Sequence, residues 1–135
     1  MLPERTPENV EPRPSDDPAA LAARLPAGRY HLVMTHSHPL DLAVCEALLR
    51  RGDFAWAGLI GSASKRARFE RQLRAAGIAA DRLARLVCPI GIEGIEGKAP
   101  AVIAASVAAQ LLLAFEATAM RAARPVPSPA RMAVP

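Results

Sequence analysis

The residues of this chain that can do chemistry fall into three loops, each following an apolar segment. The first loop is Thr35–His38, the second is Gly58–Arg66, and the third runs from Cys88 to Lys98. In open α/β sheets, ligands bind beyond the carboxyl ends of the strands. We therefore expect any ligand of this chain to be bound by these three loops.

The first loop, Thr35-His36-Ser37-His38, offers two imidazoles two residues apart. Such a pair can supply a metal ligand, a polar ligand or a proton carrier. Asp41, one helical turn later, is the only further candidate metal ligand close to them in the sequence, so a metal site is not predicted. The alternative is that Ser37 or His38 caps the following helix, and a polar contact to a bound ligand is compatible with that cap.

The second loop, Gly58-Leu-Ile-Gly61-Ser-Ala-Ser-Lys65-Arg66, joins a strand to the start of a helix. The free amides of a first helical turn suit a phosphate or another anion. Lys65 and Arg66 have the wrong sign for this end of the helix dipole, and a bound anion offsets that cost. The alternative is a serine-capped helix with a solvated basic face. The spacing matches neither a Walker motif nor GxGxxG.

The third loop begins at Cys88-Pro-Ile-Gly91 and ends at Gly97-Lys98. Glycines in such a loop permit close approach of the backbone to a ligand. Cys88 is expected to be a small buried hydrophobe rather than a reactive thiol, and Cys45 is expected to be structural. No Ser or Cys forms a nucleophile–base pattern with the histidines, so no catalytic residue is predicted.

The elements that must position these loops alternate between strand and helix patterns. Short β-favouring runs predict three strands and a weak fourth, at Tyr30–Thr35, Phe54–Ile60, Leu86–Ile90 and, weakly, Asn9–Glu11. Caps and apolar periodicity predict helices at Pro18–Leu25, His38–Arg51, Ser62–Ala76 and Asp81–Arg85, and a long apolar helix at Pro100–Ala119. This order is typical of a parallel sheet, because each helix supplies the crossover that a parallel pair needs.

The composition indicates one domain of a globular protein. A chain of 135 residues is too short for two cores of normal size, and a hydrophobic fraction of 51% excludes a wholly disordered chain. Nine of the 13 prolines lie in the first 18 or the last 11 residues. We therefore expect extended or disordered ends at residues 1–16 and 120–135 around a domain at residues 17–119.

The net charge and the cysteines indicate the cellular compartment rather than the function. The net charge of +4 comes from 15 Arg and 2 Lys, which argues only weakly for an anionic partner, because arginine-rich composition also follows from genome base composition. Aromatic residues make up 4% and no nucleic-acid motif is present, so no nucleic-acid partner is expected. No apolar run predicts a membrane span, and two distant cysteines behind a polar start predict a cytoplasmic protein.

The three loops resemble the C-terminal Rossmann-like domain of the XdhC/CoxI family, the accessory proteins of xanthine dehydrogenase and related molybdenum hydroxylases. The resemblance covers roughly Pro3 to Phe115 and rests on MTHSHPLD, GLIGSASKRARF and CPIG in that order. It implies a chaperone that binds the molybdenum cofactor (molybdopterin) and delivers it to a xanthine dehydrogenase-type enzyme, rather than an enzyme or an NAD(P) protein.

The placement of the cofactor on this chain is inferred from the chemistry of the three loops and is not part of the resemblance. The cofactor is a pterin with a phosphate tail, so we expect the turn Gly61–Arg66 to accept that tail. The candidate cofactor-binding residues are His36, His38, Asp41, Gly61, Ser62, Ser64, Lys65, Arg66, Gly91 and Lys98.

Family members carry a cysteine-bearing N-terminal domain and then a first Rossmann strand with a GxGHxG-like turn. LPERTPENVEP here resembles the segment that follows the second strand of that Rossmann domain, so the first βαβ unit is expected to be absent. The resemblance therefore predicts an incomplete, N-terminally truncated Rossmann-like α/β fold. This is a three-layer arrangement with a mostly parallel sheet flanked by helices and a long apolar C-terminal helix. Such a chain is expected to self-associate or to pair with the missing N-terminal half. Two alternatives stay open: an NAD(P)-binding Rossmann oxidoreductase, and an inactive fragment that needs a partner chain.

Overall fold

A computed structural model describes residues 5–123 of the chain, which divide into two compact units on either side of the Pro89–Ile90 bond. The first unit contains α1 (Pro18–Ala22), β1 (Tyr30–Val33), α2 (His38–Arg51), β2 (Trp56–Leu59), α3 (Ala63–Ala75), α4 (Ala80–Leu83) and β3 (Leu86–Val87). The second contains a loop and α5 (Pro100–Ala123). The predicted succession of helices and strands is thus confirmed from α1 onward.

Helix α2 has the bounds that its sequence predicts. The Ser37 hydroxyl accepts a hydrogen bond from the Leu40 amide at 3.4 Å, so Ser37 is the cap, and Pro39 occupies the first turn. Gly52 ends the helix with φ 68°, a left-handed conformation that costs glycine less than any other residue. The start of this helix fixes the position of the histidine loop.

The three strands form one parallel sheet in the order β1-β2-β3. Tyr30 lies opposite Trp56 at the start of the first pair, and Ala57 lies opposite Leu86 in the second. One buried cluster joins the strands to α2, α3 and α4, and its members include Val33, Cys45, Leu48, Ala57, Leu59, Phe69, Leu73, Leu83 and Leu86. These helices therefore lie on the same face of the sheet, as successive right-handed crossovers in one direction require.

The weak fourth strand at Asn9–Glu11 is not formed, and that prediction is wrong. The Val10 amide donates to the Pro7 carbonyl at 2.9 Å, which makes a turn instead. Prolines on both sides of this segment, Pro7 and Pro12, cannot donate to a strand ladder. Residues 1–4 and 124–135, which hold much of the predicted extended ends, lie outside the described residues.

Helix α5 differs from its prediction in length. It runs to Ala123 rather than Ala119, because no Gly or Pro interrupts the sequence before Pro125. A helix that is apolar on every side is expected to be buried against a sheet or at an interface. Of the 24 residues of α5, Ser106 and Val107 are buried within the chain, so burial at an interface stays a prediction.

By length and composition α5 could cross a membrane, with mean hydropathy of 1.7, whereas no candidate span was expected. A core helix of a soluble protein passes the same test, so the finding is weak support for a membrane span.

Candidate functional site

Asp41 joins the histidine loop to the first turn of α2 from inside the fold. Its carboxylate is fully buried and accepts hydrogen bonds from the Thr35 amide at 2.9 Å and the Thr35 hydroxyl at 2.8 Å. Burial alone would raise the pKa of Asp41, but hydrogen bonds from Lys65 and Thr35 together hold it below its ordinary value. The carboxylate of this candidate cofactor ligand is therefore engaged inside the fold.

Lys65 is the partner of Asp41. Its ammonium group donates to the Asp41 carboxylate and to the Ile60 carbonyl, both at 2.8 Å, and the side chain is 8% exposed. The ammonium nitrogen also lies 5.2 Å from the centroid of the Phe69 ring. One buried ion pair therefore ties the loop after β1 to the loop after β2.

Gly61 makes room for that lysine. A Cβ built on Gly61 would lie 2.4 Å from Cδ of Lys65, whose position is fixed at both ends. The glycine is thus required by the path of the Lys65 side chain, whereas sequence reasoning assigned it to a ligand.

Arg66 also points into the protein. Its guanidinium donates to the carbonyls of Leu86, Cys88 and Leu83, and it lies 3.6 Å from the Glu70 carboxylate. These contacts fasten α3 to β3 and to α4. The structure therefore engages both cations of the predicted anion site with acceptors of the protein.

The groups of the second loop that stay exposed are backbone amides and serine hydroxyls. Residues 62–64 are exposed, and the Ser62 hydroxyl caps α3 by accepting from the Lys65 amide at 3.2 Å. The first amide bonded within the helix is that of Arg66, which donates to the Ser62 carbonyl. The amides of Ala63 and Ser64 precede it and have no acceptor within the helix, so they are the part of this turn suited to an anion.

The two histidines of the first loop have different surroundings. His36 is exposed. His38 begins α2, and its Nδ1 lies 2.9 Å from a terminal nitrogen of Arg68, while its ring packs edge-on against Phe69. Sequence reasoning missed Arg68 as a site residue, because its spacing matches that of any exposed residue on a basic helix face.

The cysteines are structural, as predicted. Burial raises the pKa of Cys45 to about 12 and also raises the pKa of Cys88. The Cys88 thiol contacts the Gly61 carbonyl at 3.8 Å. Neither thiol forms a reactive thiolate at neutral pH.

Gly91 and Lys98, the candidates from the third loop, belong to the second unit. The Gly91 amide donates to the side-chain oxygen of Gln110 at 2.8 Å, and the next amide, of Ile92, donates to the Ser106 hydroxyl. Gly91 has φ 107°, and a Cβ there would lie 2.8 Å from that hydroxyl oxygen. Gly91 thus lets the loop lie against α5, and Lys98 is exposed.

Within residues 5–123, no cluster of three or more His, Cys, Asp or Glu side chains is placed to hold a metal ion. In the first unit, the Asp41–Lys65 ion pair joins the histidine loop to the second loop, and residues 62–64 at the start of α3 are exposed.

Comparison of the sequence with protein families identifies the group to which the chain is related. A family model of the XdhC Rossmann domain matches residues 3–111, which include all three strands and all three loops. Comparison with curated proteins found no significant match. XdhC proteins are accessory proteins, and the match covers well over half of the chain. The chain therefore belongs to the XdhC family and contains its Rossmann domain.

Proposed function

We propose that this chain is an accessory protein that binds the molybdenum cofactor and serves the maturation of a xanthine dehydrogenase-type molybdenum hydroxylase in the cytoplasm. The observation that carries the proposal is the family match over residues 3–111, which spans the three loops.

The first turn of α3 fits the phosphate tail of such a cofactor. Ala63 and Ser64 are exposed residues at the positive end of a 13-residue helix, and their amides have no acceptor within it. Ser62 and Ser64 add two hydroxyl groups to this turn. His36 is exposed in the neighbouring loop and is available for a polar contact. The bound cofactor supplies the redox-active molybdenum for the target hydroxylase, and the residues of this chain hold it.

Asp41 and Lys65 act here as positioning residues. Because their ion pair connects the two loops, it holds the histidine loop and the first turn of α3 at a fixed separation. A rigid pair of loops lowers the conformational entropy lost when a ligand binds. This role replaces direct contact of Lys65 with the phosphate.

The contribution of the α3 amides can be tested by replacing Ala63 with proline. Ala63 is the first residue of α3 and follows Ser62, which has extended backbone, so a proline fits there and removes one amide donor. Molybdopterin binding by the full chain would be measured by fluorescence quenching. We expect Ala63→Pro to weaken binding about tenfold or more, since a hydrogen bond to a charged group contributes about 1.5–3 kcal/mol.

Ala63→Ser is the matched control, because it keeps the amide and should bind like the unmodified chain. Equal affinities of Ala63→Pro and Ala63→Ser would exclude the α3 turn as the phosphate site. Tight binding of NADPH with turnover would favour the oxidoreductase alternative. Absence of binding of either ligand by the unmodified chain would favour a fragment that needs a partner chain.

A further inference from the structure

Arg68 carries a positive charge that the fold does not neutralise. The other cations of the first turns of α3 have partners, since Lys65 pairs with Asp41 and Arg66 binds backbone carbonyls and Glu70. Arg74, further along the helix, pairs with Glu70 at 3.0 Å. Among residues 5–123, Arg68 makes no ion pair with a carboxylate, and it is exposed.

The guanidinium of Arg68 is nevertheless held in place. It lies 2.9 Å from Nδ1 of His38 and 5.8 Å from the centroid of the buried Phe69 ring. A guanidinium can only donate, so Nδ1 of His38 accepts and the ring carries its proton on Nε2. An arginine fixed by two aromatic rings loses less side-chain entropy when it binds an anion.

These groups line a cleft of about 300 Å³ between α2 and α3. Arg68, His38 and the amide of Gln72 bring hydrogen-bond donors to it, and Pro39, Leu42 and Phe69 form an apolar wall. No carboxylate is among the lining residues. A volume of this size is at the lower end for small-molecule sites.

We propose that this cleft binds the phosphate group of a small molecule, with Arg68 and His38 as its main ligands. Donors from three side chains suit a tetrahedral oxyanion, and the apolar wall suits the body to which the phosphate is attached. This inference does not rest on the proposed cofactor function, because the cleft contains none of the α3 amides assigned there.

The proposal is tested by an NMR titration of the full chain with inorganic phosphate at constant ionic strength. We expect a saturable shift of the His38 ring protons and of the Gln72 side-chain amide. Arg68→Gln should weaken phosphate binding at least tenfold. Arg71→Gln, an exposed arginine on the same helix outside the cleft, should leave it unchanged.

Three results of the phosphate titration would overturn the proposal. They are the absence of a saturable shift in the unmodified chain, unchanged binding in Arg68→Gln, and an equal loss of binding in Arg68→Gln and Arg71→Gln. A parallel titration with acetate checks the chemistry, and equal affinity for acetate would exclude a phosphate site. Gln72→Ala provides a second variant, which should weaken binding less than Arg68→Gln because a neutral donor is lost.

Discussion

Lys65 forms a buried ion pair, although its position at the start of a helix predicts an anion ligand. At the start of a helix, a lysine is expected to repel the helix dipole or to bind an anion. Here its ammonium group is almost fully buried and is saturated by Asp41 and by the Ile60 carbonyl. Removing one member of such a pair leaves an unpaired charge in the interior, which is far more costly than the pair itself is stabilising.

Replacing Lys65 should therefore destabilise the fold and not merely weaken a ligand. We expect Lys65→Met to lower the free energy of unfolding by about 3–5 kcal/mol, because Asp41 would remain buried without its counterion. The double variant Asp41→Asn/Lys65→Met should recover part of this loss, since an asparagine oxygen can still accept from Thr35. Urea unfolding curves would measure all three proteins.

Arg71→Met is the control for this prediction, because Arg71 is exposed and should change stability by less than about 0.5 kcal/mol. If Lys65→Met were as stable as Arg71→Met, Lys65 would return to its predicted place among the anion ligands.

Several arginines bind backbone carbonyls in the same way as Arg66. Arg51 donates to the carbonyls of Ala22 and Leu25, Arg82 to those of Leu49 and Arg50, and Arg85 to those of Gly52 and Phe54. Most of these acceptors lie at or beyond the carboxyl ends of helices, where carbonyls have no partner within the helix. Several of the arginines that give the net charge of +4 thus stabilise the fold.

At the scale of elements, Ser62 and Ser64 have different roles in helix α3, although the sequence predicts the same role for both. Ser62 is the cap, with its hydroxyl bonded to the Lys65 amide at 3.2 Å, whereas Ser64 is an exposed residue of the first turn. Both were candidate cofactor ligands. Their contributions to stability should differ, because only the hydroxyl of Ser62 replaces a helical hydrogen bond.

Alanine substitutions should distinguish these two serines. We expect Ser62→Ala to cost about 1 kcal/mol of unfolding free energy, as loss of an N-cap does. Ser64→Ala should be neutral or slightly stabilising, because alanine is the better helix former. Thermal unfolding of both variants measures the difference, and equal melting temperatures would contradict the assigned cap.

At the scale of the whole molecule, the structure predicts loss of stability in acid. Burial lowers the pKa of His31 below 6.5, and the nearby Arg51 charge lowers it further. The folded state therefore favours neutral His31. Its contribution to stability is complete above pH 6.5 and is lost as the pH falls through the lowered pKa of the folded protein.

We expect the free energy of unfolding to fall as the pH is lowered from 7.5 toward 5, and His31→Gln should flatten that fall. His36→Gln is the matched control for the loss of a histidine, because His36 is exposed whereas His31 is partly buried. Urea midpoints measured across this range would decide, and identical profiles for the two variants would contradict the assignment to His31. A further fall below pH 3.8 is expected from Asp41, whose pKa is also lowered by folding.

The second unit exposes apolar surface on its long helix. Leu112, Leu113 and Met120 are 60%, 61% and 73% exposed. The self-association expected from the sequence stays a prediction, as do the molybdoenzyme partner and pairing with a separate N-terminal chain.

The sequence by itself determined the order of the elements from α1 onward, most helix ends to within one residue, and the family. Signals such as Ser37, Pro39 and Gly52 act within one or two turns of the chain, so they can be read without knowing the fold. The strands are shorter than their apolar runs, because pairing with a neighbour and not hydrophobicity alone decides where a strand ends.

Only the tertiary structure decided which charged residues have their partners inside the protein. Lys65 meets Asp41 across 24 positions of the chain, and Arg66 meets Leu86 across 20. No local pattern encodes such a meeting, because it depends on the crossovers that bring separate loops to one end of the sheet. Burial changes Lys65 and Arg66 from predicted anion ligands into residues that stabilise the fold. A charge that is removed from water must be neutralised by partners within the protein.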